Sequence, residues 1–119
     1  MDAVIAFLLS LGMACSPVQV HATAYAPLDN QSGICADSTP TKTSRGYYPQ
    51  KQIIAVDPRE IPYGTLVYIP KYGYAIAGDT GSALRNNKDH IAIDLFMDTY
   101  KEAIQWGRRD IIIYVYRHE

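Results

Sequence analysis

Six short runs rich in β-branched and aromatic residues, each closed by Gly, Pro, Asn or Asp, constrain this chain more than any other feature. They fall at residues 21–26, 53–56, 65–69, 73–77, 91–96 and 111–116. Runs of this length bounded by turn residues read as strands. At 119 residues the chain has room for one domain. Six strands in so small a domain leave exposed edges unless the sheet closes on itself, so a barrel over residues 21–119 is the expected architecture. One helix interrupts the strands, at residues 99–106 (TYKEAIQW). Thr99 with Glu102 three positions on makes a capping box, and Gly107 supplies the stop. Ala103 and Trp106, at i and i+3, are expected to face the barrel.

Residues 1–20 form an apolar leader ahead of the barrel. Residues 3–14 (AVIAFLLSLGMA) have the length of a signal-peptide h-region and are short for a bilayer span. Gly12-Met13-Ala14 and Val20-His21-Ala22 are small-x-small sites downstream of it, whereas Met1-Asp2 supplies no basic start. Export or membrane tethering and an N-terminal apolar helix packed on the domain are the two readings. Cys15 and Cys35 lack metal-site spacing, so a single disulfide and two free thiols both remain open. Eleven Lys and Arg against twelve Asp and Glu give a net charge of -1. That balance supplies no field to gather nucleic acid, which is excluded as a partner.

The chemistry is carried by aspartates. Asp94 sits inside the run Ile91-Ala-Ile-Asp-Leu-Phe96 and shares a strand face with Ala92 and Phe96. A carboxylate there must be paired, be solvated or hold its proton, and the last option is what a general acid requires. Asp79, in Gly78-Asp-Thr-Gly81, follows a strand. Asp57, in Val56-Asp-Pro58, precedes a Pro-fixed turn. Each alone reads as turn chemistry. Three strand-end or in-strand carboxylates converging on one cleft would raise the pKa of one of them.

Ala55-Val-Asp-Pro-Arg-Glu-Ile-Pro-Tyr-Gly-Thr-Leu-Val-Tyr68, Gly73-Tyr-Ala-Ile-Ala-Gly-Asp-Thr-Gly81, Ile93-Asp-Leu-Phe96 and Trp106-Gly-Arg-Arg109 together resemble the three-aspartate (3D) domain of bacterial cell-wall lytic enzymes. Thr23-Ala24-Tyr25 resembles that domain's first strand. The resemblance implies a six-stranded double-psi β-barrel related to the catalytic barrel of membrane-bound lytic transglycosylase A. It also implies cleavage of the MurNAc-GlcNAc β-1,4 bond of peptidoglycan with formation of a 1,6-anhydroMurNAc end. Carried over by position, Asp94 is the acid/base, and Asp79 and Asp57 complete the catalytic trio. After Gly81 the family commonly runs Gly-Ala-Ile-Lys-Gly, whereas this chain has Ser82-Ala-Leu-Arg85 and a longer stretch before the next strand.

The implied mechanism needs one carboxyl group, which protonates the leaving oxygen and then, ionised, takes the proton from the C6 hydroxyl that attacks C1. No water is activated, so the carboxylate spacing of hydrolases does not apply. Thr23, Tyr25, Tyr48, Thr80 and Arg85 are the expected substrate-binding residues, the tyrosines because their rings stack on sugar faces. His21, His90 and His118 are scattered and none is read as catalytic. No metal or cofactor is expected. Peptidoglycan strands are the expected partner, with a membrane tether through the leader and a homodimer as further expectations, and the location is the bacterial envelope or outside the cell. A non-catalytic glycan-binding module on the same barrel is the alternative.

Overall fold

The computed structural model describes residues 3, 7, 11–26, 52–86 and 89–118, with only the backbone of Ser82 and His118. Six strands are present: β1 (Met13–Tyr25), β2 (Ile53–Ala55), β3 (Leu66–Ile69), β4 (Gly73–Asp79), β5 (Ile91–Phe96) and β6 (Arg109–His118). Two short helices join them, α1 (Ser82–Arg85) and α2 (Tyr100–Trp106). The strands close into a barrel in the order β1-β5-β2-β4-β3-β6. The pairs β1/β5 and β2/β4 are parallel, and the other pairs are antiparallel.

The barrel is filled from alternate positions, as a period of two demands. Ile54, Val67, Ile69, Ala77, Ile93, Leu95, Ile113 and Val115 are all fully buried and meet in one core. Strand β1 reaches back to Met13, well ahead of the expected start at residue 21. It does so because ten of its residues, Met13 to Ala22, pair in register with β6. That ladder carries Pro17, Ser16 and Cys15 as exposed edge-facing positions, which periodicity within residues 3–14 does not suggest. Of the apolar helix expected before it, most residues fall outside those described. Leu11 N–H donates to Phe7 O at 3.2 Å, a helical spacing, and both side chains are more than half exposed.

Helix α2 is built as its sequence dictates. Thr99 is extended (φ -129°, ψ 152°) and its Oγ1 accepts from Glu102 N–H at 3.1 Å. The hydroxyl in turn donates to Glu102 Oε1 at 3.1 Å, where a carboxylate reaching back to the Thr99 amide was the expectation. Gly107, at φ 67°, closes the helix by donating its N–H to Ala103 O, in a left-handed conformation that a side chain would oppose. Ala103 and Trp106 are buried against the barrel, and Trp106 Nε1 donates to Ala22 O at 3.2 Å. The other helix, α1, is a single turn in the long stretch between Gly81 and β5. Four residues are too few for a periodic signal.

Candidate active site

Asp79 and Asp94 are brought together by a strand they share as neighbour. In register, Ala55 of β2 lies opposite Asp94 of β5 on one side and Asp79 of β4 on the other, while Thr23 of β1 lies opposite Asp94. The row Thr23, Asp94, Ala55, Asp79 therefore crosses four adjacent strands. A register shift between Ile54 and Ala55 brings Asp79, the last residue of β4, into it. Bulges re-aim side chains in this way. Asp79 was expected just past its strand, and the shift is why it is inside.

Asp94 is largely sheltered between the buried Ala92 and Phe96 of its own strand face. Burial is the main reason that its pKa rises to about 6; the nearby Asp79 adds to the rise, and the Thr23 hydroxyl opposes it. Thr23 Oγ1 lies 2.9 Å from Asp94 Oδ1 and 3.3 Å from Ile93 O, so its proton has two acceptors within reach. A carboxyl group with this pKa exchanges its proton near neutrality, which is the property a general acid/base needs.

Tyr25 completes the site from the end of β1. Its hydroxyl donates to Asp79 Oδ2 at 3.4 Å, and its ring meets the Phe96 ring edge-on at 6.1 Å. Burial, then the charges of Asp79 and Asp94, push the phenol far above its ordinary range, so it stays a neutral donor. Asp79 Oδ1 accepts from Thr80 N–H at 2.8 Å. The Thr80 hydroxyl beside it is buried without a hydrogen-bond partner, a costly state.

Asp57 has a different environment. It is buried, at 5% exposure, and its carboxylate is held by Arg59: Nη2 at 2.8 Å from Oδ2, with Nε and the backbone N–H each at 3.0 Å from Oδ1. These hydrogen bonds, foremost among the causes, keep Asp57 below the ordinary carboxylate range. Its backbone carbonyl accepts from Glu60 and Ile61 N–H at 2.9 Å. The Arg59 guanidinium also donates to Arg85 O at the end of α1. Arg59 thus ties the turn after β2 to the helix after β4, a role its sequence context signals only through the Asp-Pro-Arg spacing of an Asx turn. The Arg85 side chain is exposed, and its charge acts on Asp57. Tyr48 and Cys35 lie outside the described residues, and Cys15 is an exposed free thiol.

His21 and His90 are not part of the aspartate row. Their rings meet edge-on at 5.1 Å, and His21 Nδ1 lies 2.9 Å from Asp110 Oδ1. Among the described residues no three His, Cys, Asp or Glu side chains are grouped to hold a metal ion.

Residues 52–117, more than half of the chain and including Asp57, Asp79 and Asp94, match the family model described as the 3D domain. The chain belongs to the 3D domain family. It is 42% identical over 79 residues to a Bacillus subtilis (strain 168) relative named for cell wall shaping, YabE, covering 66% of this chain and 18% of that protein. It is 38% identical over 102 residues to the cell wall-binding protein YocH of the same organism, covering 86% of this chain and 33% of that protein. The chain therefore spans a third or less of the length of these two 3D domain relatives. Strand β1, at Met13–Tyr25, precedes the matched segment, so the 3D model by itself omits Thr23 and Tyr25.

Proposed function

We propose that this 3D domain is a peptidoglycan lytic transglycosylase of the cell envelope, cutting the MurNAc-GlcNAc β-1,4 bond and leaving a 1,6-anhydroMurNAc end. The observation that carries the reading is Asp94, a sheltered carboxyl with a pKa near 6 beside a second carboxylate and a neutral phenol. Asp94 in its acid form donates to the glycosidic oxygen as the bond to C1 breaks. The resulting carboxylate then accepts the C6 hydroxyl proton as that oxygen closes on C1. Thr23 steadies the ionised intermediate state of the acid through its 2.9 Å hydrogen bond. Asp79 adds to the rise in the Asp94 pKa and, with Tyr25 and Thr80, offers hydrogen bonds to sugar hydroxyls. Asp57, neutralised by Arg59, frames the site. The exposed Arg85 is a further candidate for glycan contact, as is Tyr48 on its sequence alone.

The finer features of the fold belong to the same proposal. The two parallel pairs, β1/β5 and β2/β4, support the double-psi class. The names of the relatives support an envelope setting, with peptidoglycan strands as partner. Since β1 takes residues from Met13 onward into the barrel, only the segment ahead of it would act as leader or tether, although none of the described helices is long and apolar enough to cross a membrane. The YocH name favours one second reading, a wall-binding module without catalysis.

Purified wall material separates the two. The wild-type chain should release anhydro-muropeptides, and Asp94→Asn should abolish them while still cosedimenting with the wall. Binding without any anhydro product from the wild-type chain would leave only the second reading.

A further inference from the structure

A groove of about 200 Å³ opens between the β3–β4 hairpin and α2, with Lys71, Tyr72, Met97, Glu102, Trp106 and Arg109 among its walls. It adjoins the aspartate row. Met97 N–H donates to Tyr25 O at 2.8 Å, Tyr72 OH donates to Phe96 O at 2.8 Å, and Tyr72 is among the groups acting on the Tyr25 phenol. Two aromatic rings meet in its wall, Tyr72 and Trp106, 6.3 Å apart and edge-on.

Two cations line this groove. The Arg109 guanidinium lies 4.1 Å over the Trp106 ring, and its Nε donates to Trp106 O at 2.9 Å. Stacked and tied in this way, it presents its remaining N–H groups as a preformed fork suited to a carboxylate. Lys71 occupies the third position of the turn Ile69-Pro-Lys-Tyr72, closed by Tyr72 N–H to Ile69 O at 3.0 Å. Its φ of 69° is one that Gly or Asn adopts more readily. A lysine kept at a disfavoured backbone position beside a groove points to a use for its ammonium. Among the described residues neither the Lys71 ammonium nor the Arg109 Nη atoms has a hydrogen-bond partner. The carboxylate in the lining, Glu102, is engaged by the Thr99 hydroxyl.

We propose that this groove is a subsite for the free carboxylate end of the peptide arm that hangs from the muramyl sugar. The proposal rests on the peptidoglycan reading above. In that polymer the arm is attached to the residue whose C1 reacts, so it must leave the cleft alongside the sugar. A groove that adjoins Tyr25 through Met97, with aromatic rings in its wall and two cations beside them, suits a peptide that ends in a planar carboxylate, which the Arg109 fork can take at two points.

The test measures binding by the full chain carrying Asp94→Asn, so that turnover plays no part. The probes are a disaccharide-tetrapeptide with a free terminal carboxylate and the same molecule as its terminal carboxamide. The acid should bind about tenfold more tightly than the amide, the scale of one charge-assisted interaction. Lys71→Asn, which suits the left-handed turn, and Arg109→Gln should each narrow that ratio toward one and leave the affinity for the amide unchanged. Equal affinity for acid and amide, or a ratio untouched by both variants, overturns the subsite. So does displacement of the acid by polyglycerol phosphate from the parent but not from the variants, which would assign the groove to phosphate. Failure of the wild-type chain to release anhydro product strikes the catalytic reading alone.

Discussion

At the scale of the residue, two neighbours pull the Asp94 proton in opposite directions, and this gives a signed prediction. The acid form must be present for the first step, so activity should fall as pH rises through about 6. The Thr23 hydroxyl favours the charged form, and Thr23→Val should move that alkaline limb to higher pH. Asp79 disfavours the charged form, and Asp79→Asn should move the limb to lower pH. A pH-rate profile of anhydro product release checks both, and shifts of the same sign would refute the arrangement. The position of Asp94 was legible in the sequence because an acid inside an apolar strand has few outlets. The commitment of Asp57 was not, since Val-Asp-Pro describes a turn equally well with or without a guanidinium folded back on it. Only the side-chain geometry of Arg59, two residues on, reveals that this carboxylate is already matched.

At the scale of the element, local chemistry predicted what local forces decide. The capping box and glycine stop placed α2 to within a residue, and the turn residues bracketed five of the six strands closely. Thr99→Ala should cost about 1 kcal/mol in a thermal or denaturant melt, with the barrel retained in circular dichroism. What escaped the sequence depends on partners distant in the chain. The eight residues of β1 before residue 21 are strand because β6 lies beside them, and Cys-Ser-Pro is not a sequence that announces a strand. The bulge opposite Asp79 is likewise a property of the β2/β4 pair, invisible in either strand alone.

At the scale of the whole molecule, β1 is the seam of the barrel, joined to β5 on one side and β6 on the other. A chain starting at Met13 keeps all ten β1–β6 register pairs, whereas one starting at His21 keeps two. The first should melt cooperatively and the second should lose its cooperative transition, as followed by circular dichroism. Cooperative melting of both would mean that closure does not depend on this seam.

The aspartate row has a consequence for timing. Its members come from strands far apart in the chain, so before closure Asp94 is an ordinary carboxylate with a pKa near 3.9, fully ionised at neutral pH. An unfolded copy therefore holds no proton to give to a glycosidic oxygen. Under the proposed reaction, the chain is harmless to its own cell wall until the barrel shuts, and folding itself arms it.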